Sequence, residues 1–223
     1  PVWSADGEWI YYSSGTLGSD SNSGWQVNRI RPLSDSAPDS VTAGIVQDVS
    51  TDGNQLALGI REDDSWNLWV MNLRTSEKWP VVQSESNSRM AIFSPDDNVI
   101  AYMSQEGPPV VRITSLDGTR YSKVSDEASV YPRWSPDGQY LYISNMVTQQ
   151  YKVQTSPTYS QTGEPETMFY GGMAFPNGLD MFPDGERFAV ISTVIRFDTT
   201  EQEGTELVWL QNWSDHLKRK FAE

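Results

Sequence analysis

Five aspartates recur at nearly equal intervals. Asp6, Asp52, Asp96, Asp137 and Asp184 are separated by 46, 44, 41 and 47 residues. Carboxylates are hard ligands for divalent cations, so a regular series of them could form a ladder of metal sites. Their neighbours point to another role. Each aspartate stands in one repeated phrase: Trp3-Ser4-Ala5-Asp6-Gly7, Val49-Ser50-Thr51-Asp52-Gly53, Phe93-Ser94-Pro95-Asp96-Asp97, Trp134-Ser135-Pro136-Asp137-Gly138 and Met181-Phe182-Pro183-Asp184-Gly185. Proline presets the φ of the second position of a type I turn, and Ala5 and Thr51 are tolerated there. Aspartate suits the third position, and glycine accepts the positive φ that follows. Asp97 replaces that glycine, and Asp is one of the few other residues that visit the left-handed region. The five aspartates are therefore expected to be five copies of one turn.

A second set of charges does not belong to the turns. Period-2 alternation places Trp3, Val49, Phe93, Trp134 and Met181 on one face of the segments entering the turns, where they are expected to pack between sheets. The residues just before them are Val2, Asp48, Ile92, Arg133 and Asp180. Strands this deep are otherwise apolar, so Asp48, Arg133 and Asp180 are the candidate binding residues. They form either a ligand or ion site or a ring of mutually paired charges around water.

Other chemistry finds little support. The one histidine, His216, would have to serve any Ser-His-Asp triad, and no Gly-x-Ser-x-Gly elbow accompanies it. It is read as a solvated residue. Histidine- and thiolate-based metal sites are excluded by one His and no Cys. Asp20-Ser21-Asn22-Ser23-Gly24 has an Asx-rich start but lacks the later Glu of an EF-hand, which leaves at most a weak Ca2+ site; no other cofactor is expected. Trp25, Trp66, Trp69, Trp79 and Trp209 could stack on sugars, but their strand positions favour packing. A formal net charge of −14 and a pI near 4.4 argue against nucleic acid and anionic membranes as partners. No run of 18 apolar residues offers a membrane span.

The elements that carry these residues follow from the repeat. A strand enters each Asp-Gly turn, a second strand returns, and a third and often a fourth follow. In the second repeat the returning strands are expected at 55–60, 66–73 and 78–83, with a polar turn over 62–65. In the first they are expected at 8–14, 25–30 and 40–42, with a Gly/Ser/Asp-rich loop over 15–24. Strands are expected at 110–116 and 120–124 in the third repeat, and at 139–144, 150–155 and 166–170 in the fourth. The fifth offers 187–193 and 205–212, no fourth strand, and a short helix over 214–221. Four-stranded units of 40–45 residues arranged radially are the blades of a β-propeller. The expected fold is thus all-β, a propeller of four-stranded antiparallel blades. One domain over 1–223 would hold blades at about 1–44, 45–87, 88–128, 129–173 and 174–223, either as a closed five or as part of a six-bladed ring. In such a ring Asp48, Arg133 and Asp180 approach the central channel.

The phrase over 134–144, Trp-Ser-Pro-Asp-Gly-Gln-Tyr-Leu-Tyr-Ile-Ser, and strands such as Asn67-Leu68-Trp69-Val70-Met71-Asn72-Leu73 resemble the TolB-type, WD40-like propeller repeat. The resemblance covers essentially the whole chain. The stretch over 182–190, with Glu206 to Trp213 and Leu217-Lys218 after it, resembles the ending of propellers attached to bacterial multidomain Ser/Thr kinases. That likeness implies a C-terminus near Glu223 and that any missing sequence is N-terminal; the start at Pro1, with no initiator Met, is read as processed or excerpted. The chain itself carries no glycine-rich phosphate loop, His-Arg-Asp or Asp-Phe-Gly motif. What the resemblance implies is a non-catalytic protein-interaction or ligand-sensing domain of a bacterial multidomain or envelope protein, outside the cytoplasm. The partner would be a protein or peptide, an upstream domain of the same parent included, held at the channel mouth or loop face. The alternatives are the propeller of a carbohydrate-active lyase, a peptidase-gating domain, and a self-assembling structural subunit.

Overall fold

The computed structural model describes residues 1–15, 24–33, 35–124, 128–145, 149–155, 165–170, 179–181, 184, 187–194 and 204–210. The described residues form strands and connections, with no helix among them. They build five antiparallel sheets, each of strands consecutive in the chain.

The first sheet is β1 (Val2–Trp3), β2 (Ile10–Gly15), β3 (Trp25–Ile30) and β4 (Asp39–Ala43). The second is β5 (Ile45–Val49), β6 (Gln55–Glu62), β7 (Ser65–Asn72) and β8 (Lys78–Val82). The third is β9 (Ser88–Phe93), β10 (Val99–Ser104), β11 (Val110–Ser115) and β12 (Tyr121–Lys123). The fourth is β13 (Val130–Trp134), β14 (Tyr140–Ser144), β15 (Gln149–Gln154) and β16 (Glu166–Tyr170). The last has three strands, β17 (Leu179–Met181), β18 (Phe188–Val194) and β19 (Gly204–Leu210). The short helix expected over 214–221 and the loop expected over 15–24 fall largely outside the described residues, as does His216.

The Asp turn is built as its chemistry requires. In the second sheet Gly53 N donates to Ser50 O, and the Ser50 hydroxyl donates to Asp52 Oδ1 at 2.6 Å. Asp52 Oδ1 also accepts from Asn54 N, and Ser50 Oγ accepts from Gln55 N. The same four bonds recur around Ser94-Asp96, with Asp97 N in place of the glycine amide, and around Ser135-Asp137 and Ser115-Asp117. Each aspartate is thus occupied by its own hairpin. Its serine and amide donors hold the Asp6, Asp52 and Asp117 carboxyls below the usual range, Asp117 at about 2. Among the described residues no three His, Asp or Glu side chains are grouped closely enough to hold a metal ion.

The apolar cores lie between consecutive sheets. Tyr11 and Val27 of the first sheet pack against Val46, Leu56, Leu58 and Met71 of the second. Ala57, Leu68, Val70 and Val81 of the second meet Ala91, Phe93, Ile100 and Tyr102 of the third. Val99, Val111 and Ile113 of the third meet Trp134, Leu141, Ile143 and Val153 of the fourth. Leu56 and Leu58 face one neighbour and Ala57 the other, so alternation here sorts two buried faces. Phe93 and Trp134 are buried as their pattern predicted, whereas Trp3 on the first sheet is 58% exposed. Trp25, Trp66, Trp69 and Trp79 are partly buried, and Trp79 Nε1 donates to Leu116 O of the next sheet at 3.0 Å. Trp69 Nε1 donates to Glu62 Oε2 within its own sheet at 3.2 Å.

The sheets are also tied turn to turn. Asp97 adopts φ 58°, and its carboxylate accepts the amides of Thr51 and Asp52 at 2.7 and 2.9 Å. The residue that departs from glycine thereby links two neighbouring turns. Asp97→Ala is expected to lower stability by about 1–2 kcal/mol, through two lost bonds and a left-handed alanine. Asp97→Gly should lose only the link and fall nearer wild type in a denaturant melt.

Candidate functional site

The first strands of the sheets converge. β1 lies against β5, β5 against β9, and β9 against β13, so these strands face the axis about which the blades turn. An innermost strand has one edge without a strand partner, and its amides need acceptors. The preceding blade supplies them from side chains. Ser13 Oγ accepts Val46 N, Gln47 Oε1 accepts Ala91 N and Asp48 Oδ2 accepts Phe93 N, each at 2.8 Å.

Asp48 and Gln47 both reach the third blade because β5 carries a bulge. Its register against β6 shifts between Val46 and Asp48, leaving Gln47 as the extra residue. The side chain of Gln47 also lies over Gly59, where a Cβ would meet its Nε2 at 2.7 Å. β9 and β13 carry similar irregularities, and each contains a non-glycine residue at positive φ: Met90 at 57° and Tyr131 at 55°. Residues of this kind are held against local preference by their surroundings, and bulges re-aim the side chains beside them.

Among the sequence candidates, Asp48 lies on β5 opposite Ala57, and Arg133 on β13 opposite Tyr142. Both are half-buried. They feel each other's charge without forming a direct ion pair. Burial pushes the Asp48 carboxyl up to about 6, against the opposing pull of the Phe93 and Val49 amides and of the Arg133 guanidinium; the Asp97 carboxylate adds to the rise. Arg133 Nη1 donates to Pro132 O at 2.8 Å. Asp180 lies on β17 opposite Ala189, the corresponding strand of the last sheet. The structure thus brings Asp48 and Arg133 into one electrostatic environment, near the end of the inner strands that carries the Asp turns.

Sequence reasoning missed three polar residues around this frame. Gln47 was hidden by the bulge. Glu62, read as a turn residue, is the last residue of β6; Asp63 and Asp64 make the turn, with Asp63 at φ 50°. Burial raises the Glu62 carboxyl, but donors from Asn67, Trp69 and Gln83 outweigh it and hold it below its usual range. Arg89, at the start of β9, is exposed and lies over the Trp66 ring, its guanidinium carbon 5.5 Å from the centroid. A separate cleft of about 300 Å³ opens between β8 and β10–β12. The arginine lining it, Arg112, is already paired with Glu106 at 3.1 Å.

No family model matches this chain, and no curated protein does. Solved structures do. The chain is similar to a TolB-like protein from Agrobacterium tumefaciens at 16% identity and a TM-score of 0.62, over 76% of this chain and 65% of that one. It is similar to TolB from Acinetobacter baumannii at 14% identity and a TM-score of 0.65, over 86% of this chain and 48% of that one. An oligogalacturonate lyase in complex with manganese aligns at 16% identity and a TM-score of 0.61, over 86% and 57%. The chain therefore spans between about half and two thirds of the length of these structures. At such identities the likeness concerns architecture, and the architecture agrees with the repeated turn and the four-stranded sheets. The fold is that of the TolB-type β-propellers.

Proposed function

We propose that this chain is a non-catalytic binding module that holds a protein or peptide partner at the mouth of the propeller channel. The observation that carries the reading is the arrangement of Asp48 and Arg133. Two opposite charges sit half-buried on the inner strands of separate blades, influence each other, and stop short of pairing. Unmated charges of this kind discriminate between partners and set their register. Asp48 is anchored to a backbone amide, and the nearby Asp97 carboxylate is occupied by Thr51 and Asp52. The group supplies a charge held in place by these bonds and present above about pH 6. With the TolB-like architecture, this supports an interaction or sensing domain of a larger bacterial protein, working outside the cytoplasm. Among the described residues no helix is long and apolar enough to cross a membrane.

A photoreactive amino acid placed at Arg133, and separately at exposed Lys123 on β12, tests the proposal. In cells that make the protein, position 133 should give a discrete cross-linked partner, weakened by Asp48→Asn, and position 123 should not. Equal products from both positions, or turnover of oligogalacturonate by the purified protein, would overturn it.

A further inference from the structure

At the opposite end of the inner strands from the Asp turns, we infer a second contact: a carboxylate-binding rim formed by Arg89, Arg61 and Trp66, which takes an acidic segment of a protein partner. Arg61 and Trp66 face each other across the β6–β7 hairpin. Arg89 comes from β9 of the next blade and lies over the same indole. The left-handed Met90 beside it and the register shift in β9 aim it there. Gly59 of β6 lies against the same indole, its Cβ position 3.5 Å from the ring. Trp66 is thus a fixed shelf, and a guanidinium stacked on a shelf presents its donors in a preset fork.

What this fork lacks is an acceptor. Arg29, Arg31, Arg61, Arg112 and Arg187 each pair with a carboxylate. Among the described residues Arg89, Arg74, Arg120 and Arg133 do not, and of these four only Arg89 lies over an aromatic ring. Partial burial and the charge of Arg61 both disfavour its ionised form. Arg61 itself is held only at 3.8 Å by the fully exposed Asp64, an exchangeable partner. In a chain of net charge −14, Arg89 without a carboxylate and Arg61 with only an exposed one, near enough to repel each other, leave a local pair of cations short of acid. A carboxylate bridging them would relieve the repulsion and fill the fork bidentately. The rim is an open edge made by a hairpin end and a strand start. It cannot enclose a small molecule, so the carboxylate must arrive on a surface that makes further contacts.

The test is an NMR titration of the Arg89 Nε–Hε signal in the whole chain at low ionic strength. The probes are a blocked peptide of alternating Glu and Ala, its Gln counterpart, and inorganic phosphate. The Glu peptide should shift the signal saturably and the Gln peptide should not. Followed by the Trp66 indole N–H signal, which both proteins carry, Arg89→Gln should weaken binding about tenfold while melting like wild type, since the side chain is exposed. Arg133→Ala should leave this binding intact, which separates the rim from the channel mouth. An unmoved Arg89 signal, an equal response to the Gln peptide, or phosphate binding as tightly as the Glu peptide would overturn the inference. None of these outcomes bears on cross-linking at Arg133.

Discussion

Asp48→Asn raises the melting temperature at pH 8 and leaves it almost unchanged at pH 4. The carboxyl of Asp48 titrates at about 6 in the folded protein, against an ordinary value of 3.8. A carboxyl whose folded value is raised binds its proton more tightly in the native state than in the unfolded chain. Its contribution to stability is therefore greatest below about pH 4 and is lost as the pH rises through about 6. The difference corresponds to about 3 kcal/mol between the two ends of that window. Asparagine keeps an oxygen that accepts the Phe93 amide but carries no charge to desolvate. It also leaves Arg133 without its opposite charge, which offsets part of the gain. A stabilisation of about 1–3 kcal/mol at pH 8 is expected, shrinking to nothing at pH 4, read by thermal melts across that range. A destabilising charge kept on the inner strands calls for a use elsewhere, and the proposed channel partner is a use of that kind.

Gly118→Ala is expected to cost about 2–4 kcal/mol, whereas Gly138→Ala costs about 1. Both glycines close an Asp-Gly turn with nearly the same φ, 68° and 70°, so the backbone penalty for alanine is shared. Their surroundings differ. A Cβ at Gly118 would stand 2.4 Å from Val81 O, a main-chain atom on the outer strand of the neighbouring blade. At Gly138 the nearest atom is 3.7 Å away, on the ring of Pro95. The excess cost at 118 thus measures how closely the third blade seats on the second. Equal losses in urea unfolding would mean that the blades yield at this contact.

Much of the fold could be read in the chain because its information is local and repeated. Ser, Asp and Gly at fixed offsets specify a turn by bonds among themselves, and five copies leave little choice of architecture. Among the described residues the last sheet has three strands, and the segment expected to lack a fourth lies outside them. The site was less legible because it depends on departures from regularity. Strict alternation predicts that Gln47 and Asp48 point to opposite faces, yet the bulge in β5 sends both to the third blade. Arg89 reads as an ordinary exposed arginine until Met90 turns left-handed and lays it on Trp66. Asp97 reads as a substitute for glycine, and only the packing of two turns gives its carboxylate a second role. Trp3 follows the pattern of Phe93 and Trp134 but lies exposed, because alternation sets which face a residue takes and not whether that face is covered.

The most direct test of this account is a carboxyl-carbon NMR titration of Asp48 in the free protein, with the amide of Phe93 followed in parallel. A midpoint near 6 is expected, with the Phe93 amide moving at the same pH as its acceptor takes a proton. A midpoint near 4, with a Phe93 amide indifferent to it, would contradict the account: Asp48 would then be a solvated surface charge, and the channel mouth would lose the feature that makes it a site.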